Sequence, residues 1–163
     1  AALAEALVLQ QSTKIKDEFL ENLTVYIDSR NEIFEQETTG HSLGLYVPED
    51  NAIYIRSDHQ PERADDVFAE QVGYRTYQTM GVKESAVFPA LAADPGPYLT
   101  KVVGSRDNEE TEADIFAHAF MLYYISPILL EEESPDIYAY LDMLTEYGGD
   151  VDEADDHYVQ IEQ

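Results

Sequence analysis

The segment from Ala113 to Ile125, ADIFAHAFMLYYI, is apolar around almost its whole helical circumference. A helix without a polar face is buried, so the rest of the chain must fold around this segment. The sequence predicts a helix from about Glu109 to Ile125. Asp114 and His118 interrupt the apolar surface and, four residues apart, project from one face. Two interpretations follow: a capping Asp with a hydrogen-bonded core His, or one half of a polar site that faces another element.

Short β-branched and aromatic runs predict a small sheet. TVYID, residues 24–28, alternates as a strand does. LGLYV and AIYI predict a β-hairpin between Leu43 and Ile55, joined by the turn-forming cluster PEDN. The order of helix, strands and further helices favours the α+β class, with a small, mainly antiparallel sheet packed on several helices.

The remaining segments are predicted to be mostly helical. Residues 1–23 have helical spacing with an interruption near Ser12, and a second helix runs from about Asp65 to Gly81. Residues 82–108, which contain three prolines, predict a loop with one or two short helices.

After the central helix, PILLEEE predicts a short helical turn, and an amphipathic helix follows from Ser134 to Tyr147. Ser134 is the expected N-cap, with Pro135 at the first helical position. The length of 163 residues suits a single domain. We therefore divide the chain into an N-terminal helical segment (1–23), the main domain (24–147) and an acidic tail (148–163).

The charge balance is strongly acidic, with 9 Lys and Arg against 34 Asp and Glu, a net charge of −25. An apolar fraction of 44% and long patterned segments argue against disorder. Adaptation to molar salt is the favoured interpretation, because self-repulsion is screened there and acids occupy nearly every predicted exposed face. An acidic mimic of nucleic acid, aimed at a basic protein, is the alternative. Direct binding of nucleic acid is not expected, since no basic patch exists.

Two further compositional features exclude classes of protein. The absence of Cys excludes disulfides and thiolate metal sites. The first residues, AALAEALVLQQ, lack the basic and long apolar regions of a signal peptide, and no segment approaches the ~18 apolar residues of a membrane span. We expect no membrane association and no secretion through a recognisable signal peptide.

The helix that contains FAEQVGYRTYQ offers a counterpart to Asp114 and His118. Glu70 and Tyr74 are also four residues apart on one face, with Gln71 beside them. Two helices that present such pairs towards one another would line a site. The alternative is that Glu70 and Gln71 are solvated while Tyr74 packs through its ring.

The order of these segments resembles a zincin metalloprotease domain. The hairpin GLYVPEDNAIYI, the helix with an internal Gly, and the run IFAHAFMLYYISPILL are similar to the catalytic domain of anthrax lethal factor and to related toxin and phage-encoded peptidases. The resemblance covers about Thr24 to Leu144. It implies a zincin-like fold, with two His ligands and a catalytic Glu in an HExGH motif and a third zinc ligand from a later helix.

Carried over by position, the resemblance implies a degenerate site. With Gly73 as the Gly of that motif, Glu70 stands at the first His position, Gln71 at the catalytic Glu and Tyr74 at the second His. Asp114 keeps a carboxylate at the third ligand position, and His118 stands where the family often has a second Glu. Gln cannot accept a proton near neutral pH, and the phenol of Tyr is a poor zinc ligand. No zinc peptidase activity is expected.

Two interpretations of this vestigial site remain open. Glu70, Asp114 and His118 provide ligands for one divalent metal ion, which would suit Mn or Fe as well as Zn. Otherwise these groups and Tyr74 hydrogen-bond one another, and no cofactor is bound.

The sequence thus predicts a catalytically inactive zincin-like domain with a structural or protein-binding role. Its partners would be proteins or further copies of itself, in the cytoplasm of a high-salt organism or in a virion. A metallopeptidase with an atypical Glu, Asp and His site is one alternative, and the acidic nucleic-acid mimic is the other.

Overall fold

A computed structural model describes residues 2–27, 43–56, 64–103 and 109–162. Within these ranges the protein forms eight helices and three strands. The helices are α1 (Ala2–Thr13), α2 (Ala64–Thr79), α3 (Phe88–Ala93), α4 (Pro97–Val103), α5 (Glu109–Ile125), α6 (Pro127–Glu133), α7 (Pro135–Glu146) and α8 (Val151–Glu162). The strands are β1 (Thr24–Ile27), β2 (Gly44–Val47) and β3 (Ala52–Ile55). This composition confirms the α+β class.

The helix predicted from the apolar run is α5, with the expected bounds, and it lies at the centre of the fold. It packs against α2 and also contacts α3, α4, α6 and α7. Phe116 and Phe120 are buried completely or almost so and make ring contacts with each other, with Phe88 and with Phe19. An apolar helix is stable in this protein because other elements cover it on several sides.

The predicted hairpin is present, but the sheet is mixed rather than mainly antiparallel. The strand order is β1-β3-β2, in which β2 pairs antiparallel with β3 and β1 pairs parallel with β3. Val25 and Ile27 stand opposite Ile53 and Ile55 and share the core-facing side. Alternation along a strand specifies which face is buried, whereas both strand directions satisfy the same alternation. The sequence pattern therefore left the direction of β1 undetermined.

The segment predicted as an acidic tail is a helix that belongs to the core, and this corrects the prediction for 148–163. Val151, Ala154 and Tyr158 of α8 are buried at helical spacing, and α8 packs on α7. Asp155 lies in the same buried stripe and is only 8% exposed. Six other acidic and polar residues of α8 concealed this short buried stripe from an interpretation based on composition.

Asp155 is stabilised by hydrogen bonds from three directions. It accepts bonds from Ser85 Oγ at 2.9 Å, from Tyr140 Oη at 2.7 Å and from the backbone N–H of Ala86 at 3.1 Å. Burial, the largest cause, raises the pKa of Tyr140 well above its usual range, so its hydroxyl remains a donor. The buried carboxylate thereby fastens α8 to α7 and to the segment before α3.

Two predicted helix ends differ in detail. The N-terminal helix ends at Thr13, close to the expected interruption, and is followed by a 3₁₀ turn at Asp17–Phe19 instead of helix as far as residue 23. Ser134 precedes α7 as predicted, with Pro135 first in the helix, but its hydroxyl makes no cap. That hydroxyl donates to the carbonyl of Pro95 instead, which is a tertiary contact that local sequence does not reveal.

Arg75 joins α2 to the start of the sheet. It is 7% exposed and donates from Nη1 to the carbonyl of Phe19 and from Nη2 to that of Glu21, each at 2.8 Å. Its Nε reaches Asn51 Oδ1 at 3.3 Å, in the turn between β2 and β3. Burial, the largest cause, lowers the pKa of Arg75. The planar guanidinium matches several acceptors at once, which an ammonium group does not.

None of the helices in the described part of the chain is both long and apolar enough to cross a membrane.

Arg75→Met should lower the free energy of unfolding by about 2–4 kcal/mol, because charged hydrogen bonds to a buried carbonyl and to a partly buried one are lost. Arg75→Lys should recover only part of this. Lys101→Met, at an exposed site on α4, removes the same charge and is the matched control. Denaturant unfolding in concentrated KCl measures all three, and equal effects of Arg75→Met and Lys101→Met would contradict the role of these bonds.

Candidate functional site

The site is organised by the closest approach of α2 and α5, which occurs at Gly73. A Cβ atom at this position would lie 2.7 Å from the Cα of Ala117, and 3.0 Å from both its carbonyl oxygen and the Cβ of Phe120. Any residue other than Gly would therefore collide with the backbone of α5. The internal Gly of the predicted helix is thus explained by packing alone.

Polar side chains flank this crossing at equivalent positions on the two helices. Glu70 and Tyr74 lie three residues before and one after Gly73, and Asp114 and His118 lie three before and one after Ala117. Glu70 and Tyr74 are four residues apart and share one face of α2, and Asp114 and His118 share one face of α5 in the same way. The four side chains therefore meet around the point where the two backbones are closest.

Two pairs form across the crossing. Tyr74 Oη donates to Asp114 Oδ1 at 2.5 Å. His118 Nδ1 lies 3.3 Å from Glu70 Oε2. The structure thus brings together four of the five residues that the sequence placed at this site, and each pair takes one member from each helix.

His118 has one ring nitrogen paired and one unpaired. Nδ1 is the nitrogen that faces the carboxylate of Glu70, which is an acceptor for a proton on that nitrogen. Nε2 is buried and, among the residues that the structure describes, has no hydrogen-bond partner. The side chain as a whole is 18% exposed, and its ring lies 6.3 Å from that of Tyr98.

Gln71, the fifth predicted residue, is buried rather than solvated. It is 7% exposed and lies on α2 beside Gly44 of β2, where a Cβ atom would be 3.3 Å from Gln71 Cγ. No hydrogen bond joins its side-chain amide to any residue within the described ranges. Gln71 lines the groove between β2, α2 and α5, so water or a ligand in the groove can reach its amide.

A groove of about 600 Å³ runs between β2, α2 and α5. Glu70, Gln71, Tyr74 and His118 all contribute to its wall. A smaller cavity of about 220 Å³ lies beyond the crossing, where both polar pairs and Val102 and Val103 of α4 line it. The two pairs therefore separate a larger open space from a smaller one.

The sequence did not reveal the other wall of the groove. Leu45 and Tyr46 of β2 face Asp66, Val67 and Gln78 of α2 across it. A Cβ atom at Gly44 would lie 2.5 Å from Val67 Cγ1, so β2 packs tightly against α2. The hairpin was predictable from local pattern, but its contact with α2 depends on tertiary packing.

The three residues suggested as metal ligands are distributed over both pairs. Asp114 is bonded to Tyr74, while Glu70 faces His118. Across the described ranges, no group of three or more His, Asp or Glu side chains is arranged to hold a metal ion. The geometry therefore brings the predicted ligands into one neighbourhood and gives each of them a protein partner.

No protein-family model and no curated protein matches this sequence.

Gly73→Ala provides a test of the crossing, because two physical effects oppose each other there. Ala is favoured over Gly within a helix by about 1 kcal/mol. Overpacking against the backbone of α5 costs about 1–3 kcal/mol. We expect a net loss of unfolding free energy, measured by denaturant titration. Because the collision involves backbone atoms of Ala117, the added change Ala117→Gly should not restore stability, and a Gly73→Ala protein more stable than the parent would contradict the close approach.

Proposed function

We propose that this protein is a catalytically inactive zincin-like domain with a protein-binding or structural role in a high-salt setting. One observation supports the proposal above others: residues at the positions of the family's zinc ligands pair with one another across the α2–α5 crossing. Tyr74 bonds to Asp114, and Glu70 faces His118.

The chemical character of each position supports the same conclusion. A zinc hydrolase needs ligands around the ion and a base that deprotonates the bound water. Gln71 stands at the position of that base, and an amide does not accept a proton near neutral pH. Tyr74 acts as a hydrogen-bond donor towards Asp114, whereas a ligand must offer a lone pair.

The pairs also account for how such a site persists without catalysis. In a zincin, one ion joins the two helices that supply its ligands. Here a phenol–carboxylate bond and an imidazole–carboxylate contact join the same two helices. Both pairs are partly exposed, so solvent screening reduces what each contributes to the contact between the helices.

The high-salt setting is supported by charge. The chain contains nine Lys and Arg residues and 34 Asp and Glu residues, so there are too few basic side chains to pair with most of the carboxylates. Their mutual repulsion opposes the compact state unless ions screen it.

The proposal predicts that three substitutions restore a metal site. Glu70→His, Gln71→Glu and Tyr74→His together convert EQVGY into HEVGH, with Asp114 as the third ligand. We expect this variant to bind one equivalent of Zn²⁺ at least about 100-fold more tightly than the parent protein, measured by calorimetric titration in concentrated KCl. Circular dichroism establishes that the variant is folded.

Asp114→Asn in the restored variant is the matched control and should abolish the gain in Zn²⁺ affinity. A folded triple variant without that gain would count against the zincin-like assignment. The inactive assignment would be overturned if the parent protein carried stoichiometric Zn, Mn or Fe and cleaved peptides in a manner lost on Asp114→Asn. That outcome would identify a metallopeptidase with an atypical site.

The proposed high-salt setting predicts that the free energy of unfolding rises steeply with salt concentration. Between about 0.1 M and about 1 M KCl the screening length falls from about 10 Å to about 3 Å. We expect the free energy of unfolding to rise by about 2 kcal/mol or more, which corresponds to about 4–8 °C in Tm for a chain of this length. Sucrose at the same osmolality does not screen charge and is the control. Equal stabilisation by sucrose would contradict the proposal.

A further inference from the structure

The groove between β2 and α2 contains polar groups that the two pairs do not satisfy. Gln71 as a whole is only 7% exposed, lines the groove, and its side-chain amide has no hydrogen-bond partner among the described residues. Nε2 of His118, another residue of the groove wall, is a fully buried atom without a partner within the described ranges. Polar groups of this kind are normally completed by protein atoms, water or a ligand, so a molecule in the groove can complete the amide of Gln71.

The electrostatic character of the groove favours a cation. Its lining includes the carboxylates of Asp66 and Glu70 and, among the described residues, no Lys or Arg. Glu70 Oε2 is engaged only at 3.3 Å by His118, and the Glu70 side chain is 33% exposed. A charged donor that enters the groove can therefore reach this carboxylate.

The shape and lining match a long basic side chain better than a small ion. Val67, Leu45 and Met121 provide apolar surface for an aliphatic stem, and the aromatic residues Tyr46 and Tyr74 also line the groove. Space of about 600 Å³ lies in the range of sites that enclose organic ligands. Arginine suits the polar groups best, because its planar guanidinium carries several donors that match the carboxylate of Glu70 and the carbonyl oxygen of Gln71 together.

We propose that this groove binds an arginine side chain of a partner protein. The guanidinium donates to Glu70 and Gln71, while the amide N–H₂ of Gln71 remains available to a carbonyl of the partner's backbone. The acidic surface of the whole chain attracts such a basic partner and increases its rate of encounter. This inference rests on the proposed protein-binding function and specifies the chemistry that the partner presents.

A defined peptide pair tests the proposal on the full chain. One peptide is acetyl-Gly-Gly-Arg-Gly-Gly-amide, and the other carries citrulline, which has the shape of arginine without its charge. In about 1 M KCl, where exposed charges are screened but partly buried pairs much less so, nuclear magnetic resonance follows the side-chain amide signals of Gln71. We expect saturable shifts with the arginine peptide and at least about tenfold weaker binding of the citrulline peptide.

Matched variants locate the interaction. Glu70→Gln and Gln71→Leu should each weaken binding of the arginine peptide about tenfold or more. Because Gln71→Leu lacks the reporting amide, calorimetric titration measures the affinity of all variants. Glu131→Gln makes the same charge change at an exposed site on α6 and should leave the affinity within about twofold. Equal loss in Glu131→Gln and Glu70→Gln would overturn the proposal, because it would show attraction to the general surface charge.

Two further arms separate the possible outcomes. Free arginine that binds as tightly as the peptide would overturn the assignment to a protein partner. Mass spectrometry of the peptide after incubation shows whether it is cleaved. Cleavage of the peptide together with the expected shifts of the Gln71 signals would overturn the assignment as an inactive domain. The proposal that the groove binds arginine would still hold. Absence of both shifts and cleavage would overturn the arginine groove alone.

Discussion

The close approach of Gly73 to the backbone of Ala117 is the constraint on which the rest of the structure depends. Because α5 is apolar on nearly every side, α2 must cover part of it, and a Gly at the crossing lets the two backbones meet. At that separation, the polar side chains that flank Gly73 and Ala117 reach across directly to the other helix. The pairs of Tyr74 with Asp114 and of Glu70 with His118 therefore depend on the absence of a side chain at Gly73.

The local sequence pattern was sufficient to predict an element wherever one hydrophobic periodicity dominated the segment. The bounds of α5 follow from its apolar run, and the hairpin follows from two β-branched stretches around a turn. Prediction failed where the deciding contact is distant in sequence. The direction of β1, the helix at Val151–Glu162 and the hydroxyl contact of Ser134 each depend on a partner that no window of sequence contains. The acidic composition of α8 also masked the few apolar residues that anchor it.

The candidate site was likewise predictable only in its local features. Helical spacing was enough to place Glu70 with Tyr74 and Asp114 with His118, since each pair shares one face of one helix. It did not show which member of one helix would meet which member of the other. Nor did it show that Gln71 is buried against β2, because that depends on how tightly Gly44 lets the strand approach α2. The groove depends on two close approaches, that of Gly73 to the backbone of α5 and that of Gly44 to α2. In each, the residues that meet are far apart in the sequence.

The bonding of Arg75 has a consequence for a protein with so few basic residues. Its guanidinium is directed at the carbonyl oxygens of Phe19 and Glu21, which are neutral dipoles, although carboxylates are abundant in this chain. Dissolved ions weaken attraction between opposite charges at a surface, but they have little access to a buried hydrogen bond. A cation used in this way keeps its contribution across a wide range of ionic strength. The bond from Arg75 to Phe19 is thus less sensitive to salt than an ion pair between exposed charges.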